Sequence, residues 1–306
     1  MRFQGLDLNL LVALDALLTE QNVSKAAKTV HLSQSAMSGA LNRLREFFHD
    51  DLLAPTGRRM VLTPRAEQLA EPVRAALLQI RTTITTRPEF DPAASTRSFS
   101  IVASDYAAIV ALAAGLRAIS LAAPGMSFRL VPVDASAVER IERAEADFLV
   151  TLEQHVAADH PSVPLFEDEY VVVAWSGNRL IDTELDEDTY FSLGHVGVEL
   201  GASRATVLDA WSLQSGARSR RVEVTAASFT VVPHLLIGTD RIATMHRRMA
   251  ALFARSMPLR IFPAPVDLPR LRQRLQHHRL AEADPATLWV RDQLVQAVST
   301  QSEDGA

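Results

Sequence analysis

Residues 22–48 constrain this chain more tightly than any other stretch. After the turn Asn22-Val23-Ser24 comes an alanine-rich helical run over 25–30, in which Ala26 and Ala27 are small enough for another helix to cross closely. His31-Leu32-Ser33 interrupts the pattern. Gln34 then opens a helix to about Phe48, with Ala36, Met37, Ala40, Leu41, Leu44 and Phe48 as its apolar stripe. Before both, Asp7 stands at an N-cap position, and Leu8, Leu11, Leu14, Leu17 and Leu18 recur at helical spacing up to Glu20. Two short helices joined by a three-residue turn make a helix-turn-helix, and the leading helix supplies the apolar partner they need.

On the third helix the residues off the stripe are Gln34, Ser35, Ser38, Gly39, Asn42, Arg43 and Arg45. Short polar and cationic side chains suit base edges and phosphates, and the free N–H groups of the helix start suit a phosphate oxygen. A plain solvated face has the same composition, so the neighbouring segments matter. Residues 52–64 read as two short extended runs around Gly57, a β-hairpin wing carrying Arg58 and Arg59. Thr63 caps a long helix that begins at Pro64, with Leu69, Val73, Ala76, Leu77, Ile80 and Ile84 on one face. That stripe can pack on its own domain or on a second copy. The small flanking domain favours dimerisation. Residues 88–97 read as a hinge.

Net charge is −5, which excludes a protein that coats nucleic acid non-specifically. Residues 1–65 carry +2 and the remainder −7, so any DNA contact is local. The absence of cysteine rules out disulfides, thiolate metal sites and a cysteine nucleophile, and fits a cytoplasmic protein. The first 18 residues lack the pattern of an export signal, and apolar runs such as 109–116 fall short of the roughly 20 residues a membrane span needs, so no membrane partner is expected. Hydrophobic residues make up 48%, enough for large cores.

Residues 1–97 resemble the N-terminal half of the LysR-type transcriptional regulators. The resemblance rests on Asp7-Leu8-Asn9-Leu10-Leu11, Ser24 with Ala26-Ala27, Leu32-Ser33-Gln34-Ser35-Ala36-Met37-Ser38, Leu41 with Leu44, and Leu62-Thr63-Pro64. Two departures stand out. Ser35 replaces a common proline, and Pro55 replaces a common wing arginine, leaving Arg58 and Arg59 to meet phosphate there. The resemblance implies double-stranded DNA as partner, with Ser24 and Ser33 joining Gln34, Ser35, Ser38, Asn42, Arg43, Arg45, Arg58 and Arg59 at the interface.

Farther on, strands at 99–103, 126–133 and 148–152 alternate with helices, which implies a parallel sheet covered on both faces. A second set of strands falls at 170–175, 195–200, 222–225 and 241–244; residues 271–278 return, and an amphipathic helix over 289–298 closes the chain. Ligands in such sheets bind at the carboxyl ends of strands, which selects Ser104, Asp105 and Thr151. Ser104 also has the simpler role of a helix cap. By resemblance this is the family's effector domain, two α/β subdomains around a cleft like those of periplasmic solute-binding proteins. It is closest to the branch of nodulation and aromatic-degradation regulators, through Phe90-Asp91-Pro92, His195-Val196-Gly197-Val198 and Asp284-Pro285 with Trp289.

The same resemblance adds Asp168, Ser228, Phe229 and His246 to the effector site. Phe229 also suits the core, and His246 stands where the family usually has proline. Asp105 and Asp168 would disfavour a highly charged anion. The expected organisation is a winged helix-turn-helix domain over 1–63, a linker helix and hinge over 64–97, an α/β effector domain over 98–300 and a tail over 301–306. The resemblance further implies a dimer or tetramer, a small organic effector whose candidates include aromatic compounds, and RNA polymerase as a partner. No nucleotide, metalloprotease or hydrolase motif occurs, so no cofactor, metal or catalytic residue is expected. The competing reading is a solute-binding α/β module whose N-terminal helices serve only oligomerisation.

Overall fold

Asp7 ends a small ribbon, β1 (Arg2–Phe3) and β2 (Leu6–Asp7), and caps α1 (Leu8–Glu20) by accepting the Leu10 N–H at 2.9 Å. Asn22 caps α2 (Val23–Thr29) through the Lys25 N–H at 3.0 Å, and Ser33 caps α3 (Gln34–Phe48) through the Ala36 N–H at 3.1 Å. Helix α2 therefore starts two residues before the alanine run, with Ser24 inside its first turn. Leu14, Leu17, Ala26, Ala27, Met37, Leu41 and Leu44 bury one shared core. Ala36, expected in that stripe, is exposed next to the cap. The computed structural model describes residues 2–3, 6–56, 59–85, 90–200, 208 and 218–303. They form two units, one built on Met1–Pro88 and the other on Glu89–Glu142 with Ala146–Ala306.

The wing is an antiparallel pair, β3 (Leu53–Thr56) and β4 (Arg59–Leu62), with Leu53 opposite Leu62. Gly57 and Arg58 lie outside the described residues. The turn into the wing is tight, with His49 and Leu52 both left-handed at φ 50° and 59°. Asp50 holds this turn: its Oδ1 accepts the Leu52 N–H at 2.7 Å and the Thr63 hydroxyl at 2.5 Å. Thr63 in turn caps α4 (Pro64–Thr85) through the Ala66 N–H at 3.1 Å. One carboxylate thus fixes the end of α3, the wing and the start of α4. The Thr63 hydroxyl, followed by the Leu52 N–H, holds the Asp50 carboxyl below its ordinary pKa.

Helix α4 corrects an expectation. Val73 is buried, and Leu69 and Leu77 pack with it on the core of the same chain, against α1. The domain is large enough to cover this half of the stripe because α1 lies along it. Ala76 is exposed and Ile80 half-buried; the Ile84 side chain lies outside the described residues. Pro72 sits inside the helix, where it donates no N–H, yet the helix continues, held on either side by Leu69 and Val73.

The second unit contains two five-stranded sheets. The first has the order β6-β5-β7-β14-β8, from β5 (Ser98–Ala103), β6 (Ser127–Pro132), β7 (Phe148–Leu152), β8 (Ser162–Asp168) and β14 (Leu271–His277). The second has the order β11-β10-β12-β9-β13, from β9 (Tyr170–Trp175), β10 (Gly194–Val198), β11 (Arg221–Ala226), β12 (Ile242–His246) and β13 (Leu259–Pro263). Both are mixed rather than parallel. Strands β5, β6 and β7 run together, as do β10, β11 and β12, but β14 runs antiparallel to β7 and β8, and β9 antiparallel to β12 and β13. Glu169 alone separates β8 from β9, so the chain passes from sheet to sheet in one residue and β14 must return against the first sheet's direction.

Helices α5 (Asp105–Ala107) and α6 (Ala113–Ala122), joined by the π-helical segment Ala108–Leu112, connect β5 to β6. Together, Asp105–Ala122 form a mostly apolar helical stretch of 18 residues that carries Asp105 and Arg117. It packs on α10 (Pro285–Glu303), where a Cβ on Gly115 would lie 2.7 Å from Leu294 Cδ2. The remaining helices are α7 (Ala137–Glu142), α8 (Glu187–Ser192) and α9 (Arg247–Ala254).

Asp50→Ala removes the acceptor shared by Leu52 and Thr63, so limited proteolysis should open new cleavage sites within residues 50–63 while leaving the second unit intact. An unchanged digestion pattern would show that the wing is held otherwise. Because the folded carboxyl titrates below its ordinary 3.8, this stabilisation is complete above that pH and disappears on further acidification.

Candidate functional site

Turning Met37, Leu41 and Leu44 inward leaves Gln34, Ser35, Ser38, Asn42 and Arg43 exposed along α3, and Ser24 exposed on α2 with Lys25 and Lys28. Ser33 is a cap whose Oγ also lies 3.0 Å from Ser35 Oγ. Arg43 is half exposed and donates to Asp7 Oδ2 at 3.2 Å, tying α3 to the start of α1. Arg45 departs from the role expected of it. Its Nε donates to the Asp51 carbonyl at 2.8 Å and its Nη2 to the Leu53 carbonyl at 3.1 Å, which fastens the wing to α3. The Arg58 residue and the Arg59 side chain lie outside the described residues.

In the second unit, a cavity of about 510 Å³ opens where strand ends of the two sheets face each other. Ser104 after β5, Val133 after β6, Thr151 in β7, Glu199 after β10, Thr225 in β11 and Thr244 and His246 in β12 line it, all at the carboxyl ends of mutually parallel strands. Leu271 and Gln273 of β14 and Tyr170 of β9 come from antiparallel strands and enter by their opposite ends. Of the residues expected here, Ser104, Thr151, Phe229 and His246 do line the cavity. Ser104 is also the cap of α5, accepting the Ala107 N–H at 3.2 Å.

Asp105, Asp168 and Ser228 are absent from the lining. Asp105 Oδ2 accepts the Thr230 N–H at 2.8 Å, and Ser228 Oγ lies 3.2 Å from Thr230 Oγ1. Asp168 is buried beneath Tyr106, whose hydroxyl donates to its Oδ2 at 2.5 Å; the Glu169 N–H donates to Oδ1 at 2.8 Å and the Arg248 N–H to Oδ2 at 3.3 Å. Burial pushes the Asp168 carboxyl above its ordinary pKa, and burial followed by the Asp168 charge pushes the Tyr106 hydroxyl up. The two acids expected to repel an anion are thus spent on structure. Glu199 and Arg220 are the charged carboxylate and guanidinium in the lining.

Tyr106 is the main residue the sequence reading missed; its place two positions after Ser104, in the first turn of a helix at a strand end, was the available signal. Its ring stacks on His246 at 3.7 Å and 9°, and meets Phe229 at 6.0 Å. His246 is no surface residue. Packed among Tyr106, Tyr170 and Phe229, it has a pKa pulled down to about 3 by burial, so it is a neutral ring. Behind this wall Tyr190 Oη lies 2.7 Å from Thr244 Oγ1, and His195 Nε2 donates to the Tyr190 carbonyl at 2.8 Å. Burial brings His195 down to about 4. A small, mostly apolar molecule with a few polar groups fits this lining. Among the described residues no cluster suits a metal ion.

Tyr106→Phe keeps the stacked ring and removes only the donor to Asp168. Urea unfolding at neutral pH should show a loss of about 1–3 kcal/mol, the cost of a buried acceptor left short of a partner. The loss should shrink in acid, where Asp168 is protonated in both proteins. Equal stability at neutral pH would mean that the hydrogen bond contributes nothing.

Residues 8–67 match the family described as "Bacterial regulatory helix-turn-helix protein, lysR family", and residues 93–299 match the "LysR substrate binding domain". Nodulation protein D 1 of Rhizobium leguminosarum bv. phaseoli is 44% identical over 299 residues, covering 98% of this chain and 95% of that protein. Nodulation protein D 2 of Rhizobium tropici is also 44% identical, with the same coverage. The crystal structure of the probable transcriptional regulator PA0477 from Pseudomonas aeruginosa superposes with a TM-score of 0.72 at 32% identity, over 95% of this chain and 97% of that one. These matches set aside the reading of the N-terminal helices as oligomerisation elements alone. The chain belongs to the LysR family and is a transcriptional regulator, not an enzyme, with a DNA-binding helix-turn-helix followed by an effector-binding domain.

Proposed function

We propose that this regulator reads a promoter as a cytoplasmic homo-oligomer through Gln34, Ser35, Ser38 and Asn42 of α3, and that a small organic effector occupying the cavity of the second unit modulates it. The cavity carries the effector part of this reading: rings of Tyr106, Phe229 and Tyr170 face it beside the hydroxyls of Ser104, Thr151 and Thr244, a lining that favours an aromatic compound bearing oxygen functions. The family resemblance supports a dimer or tetramer and adds RNA polymerase as a partner. The exposed Ala76 and half-buried Ile80 of α4 are the part of that helix left for a second copy. An effector works only through unequal affinity for two arrangements of the assembly, so binding and response are separate measurements.

Gln34→Ala and Ser38→Ala should change the ranking of bound sequences more than the mean affinity, because α3 presents them where a major groove would be read. Selection of bound genomic fragments with wild type and variants is the measurement. Equal losses on selected and random duplexes would contradict it.

Phe229→Ala should weaken by about tenfold or more the binding of any aromatic compound that raises the wild-type melting temperature, since it removes a ring from the cavity wall. DNA affinity without the compound should stay unchanged. A variant with wild-type affinity would remove Phe229 from the site.

A further inference from the structure

Two polar side chains in the cavity wall are buried without a hydrogen-bond partner among the described residues. Gln273 lies in β14 of the first sheet and His246 ends β12 of the second, so they approach the cavity from opposite walls. Gln273 is 7% exposed and His246 4%, yet neither the carboxamide nor the imidazole bonds a described protein group. The residues between them relate the two positions. His246 pairs with Tyr170 across β12 and β9, with ring centroids 5.4 Å apart, and Tyr170 packs with Leu271. Gln273 follows Leu271 by two residues, on the same face of β14.

The imidazole has a defined polarity. Its Nδ1 is wholly buried, which leaves Nε2 as the nitrogen that meets the cavity. A neutral ring carries one proton, and burial keeps this ring neutral. On Nδ1 that proton would make a buried donor with no acceptor, the less tolerated kind of orphan; on Nε2 it faces the cavity. His246 therefore offers a donor, and Tyr106, stacked on it at 3.7 Å, holds the plane of the ring. The Gln273 carboxamide offers both a donor and an acceptor.

A ligand that expels solvent from the cavity must replace the hydrogen bonds at both groups or leave a buried polar group without one. Every buried residue of the lining is uncharged, whereas Glu199 is exposed and Arg220 half-buried. An ionised ligand drawn into the interior would lose its hydration with no buried counter-charge. On the reading that this cavity holds the effector, we propose that Gln273 and His246 are its specificity-determining residues. They select an uncharged ligand that sets an acceptor oxygen against His246 and a group that both gives and takes a hydrogen bond against Gln273.

Calorimetric titration of the full chain at neutral pH with compounds sharing one two-ring skeleton tests this: 3-hydroxybenzophenone, benzophenone, diphenylmethane and 3-benzoylbenzoate. Removing the hydroxyl and then the ketone should each weaken binding to the wild type by about tenfold or more, and the carboxylate should fall behind 3-hydroxybenzophenone by a similar factor. Gln273→Leu should abolish the preference for the hydroxyl and keep that for the ketone. His246→Phe, which leaves a ring for Tyr106 to stack on, should do the reverse. Each preference is a ratio of two affinities in one protein, so a partly unfolded variant lowers both and leaves the ratio. Wild-type binding that ignores hydroxyl and ketone, tighter binding of the carboxylate, or variants with wild-type ratios would overturn the proposal while leaving the cavity as an effector site. Failure of every compound to bind would overturn the effector reading with it.

Discussion

Burying the Asp168 carboxylate is unfavourable unless hydrogen-bond donors surround it, and the source of those donors dictates how the effector domain is assembled. The Tyr106 hydroxyl comes from the first helix of one subdomain, the Glu169 N–H from the crossover and the Arg248 N–H from the first turn of α9 in the other. Asp105, one residue from Tyr106, adds a bond to the Thr230 N–H. The start of a single helix is thereby tied to both the crossover and the second subdomain. The same Tyr106 ring forms part of the cavity and stacks on His246, so whatever occupies the cavity rests on the groups that join its two walls.

The N-terminal domain relies on polar ties of a related kind. Asp7 caps α1 with one oxygen and receives Arg43 with the other; Asp50 holds the turn, the wing and the cap of α4; Arg45 binds the wing's first carbonyls. A small core leaves loops and helix ends little apolar contact, and these side chains replace it. Arg45 is thereby drawn into this framework and Arg43 into an ion pair, while the short polar side chains at the start of α3 stay exposed. Lys25 and Lys28 of α2 are exposed as well.

The cavity owes its character to neutralised charge. His246 and His195 are buried far enough to lose their protons, and Asp105 and Asp168 are occupied by backbone and tyrosine donors, so aromatic rings and hydroxyls, with Glu199 and Arg220 beside them, are left to meet a ligand. That composition resembles a binding pocket more than a catalytic centre, in agreement with the family to which the chain belongs.

The sequence alone determined the features that depend on residues three or four apart. The caps at Asp7, Ser104 and Thr63, the stripe of α3 and the strand cores at 99–103 and 148–152 all involve near neighbours, and their patterns are legible without a fold. Ser104 and Thr151 were legible for the same reason, since each sits at the end of a recognisable strand. Tertiary structure decided whatever depends on distant partners. The antiparallel entry of β14 and β9, which brings Gln273 and Tyr170 to the cavity, follows from where the chain crosses between sheets. The burial of Val73 follows from α1 lying against α4, and the withdrawal of Asp105 and Asp168 from the site follows from donors as much as 125 residues away. A carboxylate's sequence neighbours do not reveal whether it faces a ligand or a backbone N–H, because the choice is made by the lower desolvation cost once the two sheets have come together.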